Sequence, residues 1–196
     1  MKSDYQWDKT LKIDTCGRID GHADEYHYPY EPTPYCVLEY LVESDYISKD
    51  SVVVDYGCGK GRVPFFLNHK VGCHTIGVEY NKKLYEKAEV NRTTYKGKNG
   101  VEFYCENAEE FRIINADVFY FFNPFSVEIL RNVIGRIRES YYETPRVMRL
   151  FFYYPNDEYI SYLMSNYELS FVDDIDCQDL FLGTNNRERI LIFEMG

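Results

Sequence analysis

One stretch of the sequence combines a carboxylate with three closely spaced glycines. Asp55 follows three valines at 52–54, and Gly57, Gly59 and Gly61 come after it at alternate positions. A valine run of this kind is typical of a strand that is buried on both faces. Glycines directly after such a strand let the backbone turn into a helix and leave room for a ligand at the strand's carboxyl end. The stretch therefore predicts a small-molecule site in an α/β sheet.

The spacing of the glycines separates classes of ligand. Nicotinamide and flavin sites carry G-x-G-x-x-G, in which the third glycine comes three residues after the second. Here Arg62 occupies that position, and the glycine comes one residue earlier, at Gly61. Asp55 lies where a pyrophosphate would sit, and two anions in contact in a partly dry crevice repel each other by several kcal/mol. A cationic ligand without phosphate, such as S-adenosylmethionine, is favoured instead.

The pattern Asp55-x-Gly57-x-Gly59-x-Gly61 resembles motif I of the class I (Rossmann-like) S-adenosylmethionine-dependent methyltransferases. This resemblance implies that Asp55 and the loop that follows it, including Cys58, hold the methionine part of the cofactor. Two other interpretations stay open for the motif by itself. It is also compatible with a strand-to-helix turn that binds nothing, or with a dinucleotide site.

Two further predicted strands end in residues that suit the same cofactor. Glu79 ends the second strand, where α/β cofactor sites place a carboxylate against the ribose hydroxyls, and Tyr80 follows it. A helix-capping acid is the alternative for Glu79. In the family, a polar residue and then a small one after the third strand contact the adenine, and Asn107 and Ala108 match them. Asn107 is also a suitable helix N-cap.

The fourth predicted strand ends in Asn123-Pro124-Phe125. In amine-directed N-methyltransferases this loop reads Asn/Asp-Pro-Pro-Tyr/Phe, and the resemblance implies that Asn123 accepts a hydrogen bond from a substrate amine beside the cofactor. Phe125 would contact the target or offer its ring face to the sulfonium. Both are therefore candidate catalytic residues. One proline of the family pattern is missing, which leaves nitrogen specificity open, and a plain turn with Asn and Pro is the alternative.

The first fifty residues are expected to form a lid and substrate segment. Residues 1–30 are polar, aromatic and irregular, and the prolines that follow favour an extended chain. In many class I methyltransferases such a segment covers the methionine end of the cofactor, which suggests that role for Tyr30 and for Thr33 or Tyr35. Packing over the sheet edge is the alternative. We expect Trp7 and the neighbouring tyrosines to form the acceptor pocket.

Strands and helices alternate along residues 51–196, which we assign to a cofactor-binding core within a single domain, 1–196. The predicted strands cover residues 51–55, 74–79, 101–105, 116–122, 147–154, 168–172 and 189–194. No helix is predicted between the last two, so they should pair as an antiparallel hairpin. These features predict an α/β fold: a doubly wound, seven-stranded, mostly parallel sheet. The resemblance implies the strand order 3-2-1-4-5-7-6.

The composition of the chain restricts which acceptors, metals and membrane contacts we expect. The net charge is -10 and lysines and arginines are not clustered, which makes nucleic acid a less favoured methyl acceptor than a small molecule or a protein. The six cysteines form no C-x-x-C pair, and His22 and His27 lie near acids without metal-ligand spacing, so we expect no metal. No apolar run approaches the roughly 20 residues that cross a bilayer, and no signal segment is evident. We therefore expect a cytoplasmic protein without membrane contact.

These observations together predict an S-adenosylmethionine-dependent methyltransferase, with the acceptor and its reacting atom open. A non-catalytic Rossmann-like binding module is one alternative. A nicotinamide-dependent oxidoreductase is another, and it is disfavoured by Asp55, by Arg62 and by the terminal hairpin.

Overall fold

The computed structural model describes residues 2–17, 30–97 and 99–196. The strands are β1 Val52–Tyr56, β2 His74–Glu79, β3 Val101–Cys105, β4 Val118–Phe121, β5 Met148–Tyr153, β6 Ser170–Asp176 and β7 Arg189–Met195. The helices are α1 Asp4–Leu11, α2 Tyr35–Glu43, α3 Arg62–Lys70, α4 Lys82–Thr94, α5 Val127–Glu143 and α6 Asp157–Ser165. Among these residues, no helix has both the length and the apolar character needed to span a membrane.

All seven strands form one sheet in the order β3-β2-β1-β4-β5-β7-β6. The first five strands are parallel, while β7 runs antiparallel to β5 and pairs with β6 in the same sense. The predicted fold class and strand order are therefore confirmed. A short 3-10 helix, Gln178–Leu180, lies between the last two strands, where no helical segment was expected. The antiparallel pairing is kept because a single helical turn does not carry the chain across the sheet.

The sheet is covered on both faces, as the valine run before Asp55 predicts. Val53 belongs to the core cluster under α1–α4, and Val54 belongs to the cluster under α5 and α6. Successive side chains of a strand point to opposite faces, so a strand that is apolar at every position must be covered twice. The carboxyl end of β1 is thereby enclosed between two helical layers.

The prediction that residues 1–30 are irregular is wrong for α1. Ser3 caps this helix: its hydroxyl accepts a hydrogen bond from the Gln6 N–H, and the Gln6 side chain accepts one from the Ser3 N–H. This Ser-x-x-Gln pattern is a capping box that the sequence displays. The expected pocket role of Trp7 is also wrong, because its ring is buried against Phe66 and Tyr35, with ring centroids 5.0 and 5.8 Å away.

The apolar spacing over residues 81–95 predicts a helix with Leu84, Ala88 and Val90 on its inward face, and α4 differs from this at a single position. Leu84 and Ala88 are buried as predicted, but Val90 is 64% exposed and Asn91 is buried instead. Positions 84, 88 and 91 share one face of a helix, whereas position 90 does not. Asn91 is satisfied there because its amide bonds both the N–H and the carbonyl of Asp14.

Gly61 has no freedom to carry a side chain. Its φ of +88° is a left-handed conformation that favours glycine, and a Cβ atom would lie 2.5 Å from the Phe103 ring and 2.9 Å from the Phe65 ring. Both rings belong to the core. The third glycine of the motif therefore lets the loop pack directly on aromatic side chains from α3 and β3.

We expect Gly61→Ala to lower the free energy of unfolding by about 2–4 kcal/mol, because it adds left-handed strain to overpacking. Gly135→Ala is the control: Gly135 lies within α5, and a Cβ there has no neighbour within 4 Å. That change should stabilise the protein by about 0.5–1 kcal/mol. Urea unfolding measures both variants, and equal midpoints for Gly61→Ala and the parent protein would contradict the assignment.

Candidate cofactor and active site

A cavity of about 560 Å³ opens at the carboxyl ends of β1, β2 and β4. The chain reverses its winding direction between β1 and β4, and ligands of open α/β sheets bind at such switch points. Most of the residues predicted from the sequence line its wall: Tyr30, Thr33, Asp55, Gly57, Cys58, Glu79, Tyr80, Asn107, Ala108, Asn123 and Phe125. The other two predicted residues, Gly59 and Gly61, lie behind this wall. The fold therefore brings the predicted residues together at one site.

Asp55 is the most unusual group in the wall. It is 5% exposed, and none of the residues that the structure describes donates a hydrogen bond to its carboxylate. Burial, with a smaller contribution from the nearby Glu79 carboxylate, raises the pKa of Asp55 well above its usual range. A buried acid without donors destabilises a folded chain and is characteristic of a functional site. It suits a ligand that brings positive charge.

Glu79 fixes the glycine loop. One oxygen, Oε2, accepts a hydrogen bond from the Gly59 N–H at 2.8 Å, and the other, Oε1, accepts one from the Asn81 N–H at 2.7 Å. A carboxylate has further lone pairs after two such bonds, so it can also accept protons from hydroxyl groups in the cavity. Contact with a ribose stays a prediction. The clamp onto Gly59 is a role that the sequence did not indicate.

The glycine loop is packed from two other sides. A Cβ on Gly57 would lie 2.4 Å from Pro124 Cβ, and a Cβ on Gly59 would lie 2.1 Å from the Tyr30 ring. Cys58 between them is buried, and burial and the neighbouring Asp55 raise the pKa of its thiol well above the usual value. Cys58 therefore supplies volume to the wall rather than a reactive thiolate.

The chain around residues 30–34 packs against the glycine loop, with the Tyr30 ring next to Gly59, and a role over the cofactor stays a prediction. The Tyr30 hydroxyl donates to the Thr15 carbonyl at 2.7 Å, and the Thr33 hydroxyl is hydrogen-bonded to the Tyr120 hydroxyl at 3.0 Å. Both side chains face the cavity, whereas Tyr35 is fully buried and its hydroxyl donates to Asp8 at 2.6 Å. Of the two residues considered beside Tyr30, Thr33 is therefore the one at the cavity.

Arg62 is the residue that sequence reasoning used only to disfavour a nicotinamide site. Its guanidinium donates to the Thr15 hydroxyl at 2.8 Å, to the Thr33 carbonyl at 3.1 Å and to the Asp4 carboxylate, with which it forms an ion pair. It therefore ties α1 and the chain at Thr15 and Thr33 to the first residue of α3. The sequence carried no signal for this, because the partners are 29 to 58 residues away.

Asn107 and Ala108 line the cavity, and their contact with an adenine stays a prediction. The alternative for Asn107 also holds, because its side-chain oxygen accepts a hydrogen bond from the Glu109 N–H at 3.1 Å and so caps a turn. Its remaining capacity is compatible with a second partner in the cavity. Tyr80 lies at the same wall and is 59% exposed.

Asn123 holds a strained turn at the cavity. Its φ of +40° is uncommon outside glycine, its side-chain nitrogen donates to the Tyr154 carbonyl at 2.6 Å, and its oxygen accepts from the Asn156 N–H at 3.3 Å. The amide thus joins the ends of β4 and β5. Phe125 is buried, and its carbonyl accepts a hydrogen bond from the Tyr159 hydroxyl at 2.6 Å. Contact of either residue with a methyl acceptor stays a prediction.

Within the described part of the chain, no three or more His, Cys, Asp or Glu side chains are grouped so that they could hold a metal ion. His22 and His27 lie outside the described residues.

The chain matches a known protein family. A methyltransferase-domain family matches residues 47–160, which is more than half of the chain, and the chain belongs to that family. The resemblance to the methyltransferases that motif I indicated is thereby confirmed at the level of the family. Asp55, which is buried and has no donor within residues 2–17, 30–97 and 99–196, fits the positive charge of S-adenosylmethionine.

Solved structures agree on the fold. An RNA methyltransferase from Salinibacter ruber, determined with S-adenosyl-L-homocysteine, superposes with a TM-score of 0.55 at 19% identity over 84% of this chain and 92% of that one. The tRNA (uracil-54, C5)-methyltransferase of Pyrococcus abyssi, also with S-adenosyl-L-homocysteine, gives a TM-score of 0.61 at 15% identity over 91% and 44%. At these identities the likeness shows the shared fold.

Two curated relatives carry methyltransferase names. A Dictyostelium discoideum histone-lysine N-methyltransferase, H3 lysine-79 specific, is 31% identical over 118 residues, which are 60% of this chain and 6% of that protein. A protein-lysine N-methyltransferase of Saccharolobus islandicus is 36% identical over 76 residues, 38% of this chain and 45% of that protein. The chain thus spans less than half the length of these curated relatives.

We expect Asp55→Asn to stabilise the free protein while it weakens cofactor binding. The raised pKa means that the folded chain binds this proton more tightly than the unfolded chain, so stability falls as pH rises through the window between about 4 and the folded pKa. The variant should therefore unfold at a higher temperature than the parent protein at pH 8, by about 1–2 kcal/mol of stability, and the difference should shrink toward pH 4.

The same variant should bind S-adenosylmethionine about 10-fold to 100-fold more weakly at pH 8, because a charge-assisted contact is lost. For the parent protein, cofactor binding should strengthen as pH rises, since it requires the ionised carboxylate. Thermal unfolding and calorimetry between pH 4 and 8 measure both effects, with Asp50→Asn at an exposed site as the control. A variant no more stable than its parent at pH 8 would refute this account of Asp55.

Proposed function

We propose that the protein transfers a methyl group from S-adenosylmethionine to the side-chain amine of a lysine in another protein. The observation that carries the cofactor assignment is the Asp55 carboxylate, which is buried in the cavity wall without a donor among the described residues. When bound, the cofactor supplies an electrophilic methyl group on a sulfonium. We assign its methionine part to Asp55 and the 57–61 loop, its ribose to Glu79 and Tyr80, and its adenine to Asn107 and Ala108.

Three lines support a lysine acceptor. Both curated relatives described above are named for lysine methylation. The net charge of -10 attracts basic protein segments and repels polyanions. The cavity wall on the β4 side is aromatic, with Phe122 and Phe125 beside Tyr120, and such a wall can pack the methylene stem of lysine and face its amine.

The residues of the chain would act by alignment and by exclusion of water. The aromatic wall removes water from the amine, and the turn held by Asn123 sets the approach of the acceptor at the end of β4. The reacting amine must be neutral, so its proton leaves to solvent before transfer. Since the Asn123 amide is engaged with β5, we assign it to shaping this turn, with Phe125 as the group that meets the acceptor.

The cofactor assignment is tested by thermal unfolding with candidate ligands. S-adenosylmethionine and S-adenosylhomocysteine should raise the unfolding temperature in a concentration-dependent way, by RT ln(1 + [L]/Kd), whereas NADH should not. Asp55→Asn is the matched control and should show little shift. Stabilisation by NADH alone would overturn the assignment in favour of an oxidoreductase, and no shift with any of these ligands would favour a non-catalytic module.

The acceptor assignment is tested with methyl-tritiated S-adenosylmethionine in an extract of cells that lack this protein. We expect added protein to label a fraction that protease destroys and ribonuclease leaves intact, with methyl-lysine recovered after acid hydrolysis. Asp55→Asn should reduce labelling at least about tenfold because it weakens donor binding. Label that ribonuclease removes would show an RNA acceptor, in line with the names of the two structural neighbours described above, and would overturn the lysine proposal.

A further inference from the structure

Two residues at the ends of β4 and β5 have left-handed backbone conformations. Asn123 has a φ of +40° and Tyr154 has a φ of +51°. Such angles are costly for residues other than glycine, most of all for a bulky side chain, and they persist only where neighbouring contacts hold them. Asn123 lines the cavity at the turn that we assign to the methyl acceptor. The contacts that hold these two residues therefore shape the acceptor side of the site.

The Tyr154 carbonyl joins these two residues to a third, Arg187. This carbonyl accepts a hydrogen bond from Asn123 Nδ2 at 2.6 Å and another from Arg187 Nη2 at 3.3 Å. A carbonyl oxygen has two lone pairs, so it can accept from both donors at once. Arg187 Nε also donates to the Pro155 carbonyl at 3.2 Å. The guanidinium thus binds two successive carbonyls in the segment that follows β5.

Arg187 belongs to the β6–β7 loop, residues 177–188, and this loop also holds the Tyr154 ring. The central carbon of the guanidinium lies 4.3 Å from the ring centroid, and Asn185 Nδ2 donates to the Tyr154 hydroxyl at 2.9 Å. A planar guanidinium can stack on a ring and donate hydrogen bonds at the same time, whereas an ammonium group cannot stack. The β6–β7 loop therefore fixes both the backbone and the side chain of Tyr154.

The segment after β5 contacts the cavity wall at two places. The Asn156 N–H donates to Asn123 Oδ1 at 3.3 Å, so the Asn123 amide is held through its oxygen as well as its nitrogen. The ring of Phe122, another wall residue, lies 6.3 Å from the Tyr154 ring between centroids. Among the described residues that line the cavity, none belongs to the β6–β7 loop. Arg187 therefore acts on the acceptor side through Tyr154 and does not itself face the cavity.

We propose that Arg187 is a positioning residue for methyl transfer. It holds the Tyr154 carbonyl and so keeps the Asn123 turn in the strained conformation that sets the approach of the acceptor to the methyl group. Transfer depends on this alignment, whereas cofactor binding, which we assign to the ends of β1, β2 and β3, does not. This inference rests on the proposed function and adds to it a residue of the terminal hairpin.

The test separates the rate of methyl transfer from the binding of the donor. Arg187→Met on the full chain should bind S-adenosylhomocysteine within about threefold of the parent protein in calorimetry. At saturating tritiated S-adenosylmethionine, it should label the cell extract described above about 10-fold to 100-fold more slowly, because the acceptor is misplaced. Arg189→Met is the matched control: this arginine lies on the same hairpin and pairs with Asp174, so its loss should leave the rate unchanged.

Two further measurements distinguish positioning from a purely structural role. Arg187→Lys, which also serves if Arg187→Met does not fold, keeps the charge and loses the stacked, planar donor pair. It should therefore remain at least about threefold slower than the parent protein. Hydrogen exchange reports on the turn itself: the Asn156 amide, which donates to Asn123, should exchange about 10-fold faster in both Arg187 variants and at the parental rate in Arg189→Met.

A parental labelling rate in Arg187→Met or Arg187→Lys, assayed below the unfolding temperature, would overturn the proposal. Unchanged exchange at Asn156 would also overturn it, as would a loss of cofactor binding as large as the loss of rate. The expected ratio of rates with the label in RNA would support the positioning role and overturn only the lysine acceptor. A parent protein that binds S-adenosylhomocysteine but labels nothing would reject the proposed methyl transfer, and this inference with it.

Discussion

The cavity depends on two carboxylates that the sheet buries at the ends of neighbouring parallel strands. Asp55 and Glu79 lie at positions where a helix layer on each face excludes water, and like charges in such a place raise the energy of the free protein. Glu79 is compensated by backbone N–H groups of the loop and of Asn81, whereas Asp55 has no such donor among the described residues. The site is therefore built to be incomplete until a positively charged ligand enters.

The N-terminal segment is part of the same electrostatic arrangement. Asp8 gathers hydrogen bonds from the chain at Thr15 and from Tyr35, and Arg62 reaches from α3 to Thr15 and Thr33. Side chains from four parts of the chain thus meet behind one wall of the cavity. This network can be buried because each charged residue in it has a partner of opposite charge or several hydrogen-bond donors. The described part of the N-terminal segment is consequently anchored to α3, which begins where the glycine loop ends.

The sequence predicted the strands well because their signals are local. The valines at 52–54 indicate a strand that is buried on both faces. The acid that ends this strand and the alternating glycines after it specify the turn, independently of the rest of the chain. The least accurate boundary belongs to β6, an edge strand with mixed exposure, which continues to Asp176 rather than ending at residue 172. A hydrophobic pattern is weak on such a strand because only one of its edges is paired.

The errors and omissions concern contacts between distant parts of the chain. The capping box at Ser3 was visible in the sequence, but the burial of Trp7 under Phe66 was not. The substrate contact predicted for Asn123 stays a prediction, but the sequence could not show that its amide is already engaged. Its amide in fact bonds Tyr154, 31 residues later, and the pairing of β4 with β5 is what brings that carbonyl within reach. The role of Arg62 in joining distant parts of the chain was not predicted for the same reason, because its partners are far away in the sequence.

The alternating glycines of the loop meet three different parts of the protein: Pro124 faces Gly57, Tyr30 faces Gly59, and Phe103 faces Gly61. The three positions are therefore under separate evolutionary constraints. In a homologue without the N-terminal segment, the space now filled by Tyr30 would be empty, and asparagine, which tolerates a left-handed backbone, would fit at position 59. Positions 57 and 61 would remain glycine in that homologue, because the loop after β4 and strand β3 supply their neighbours.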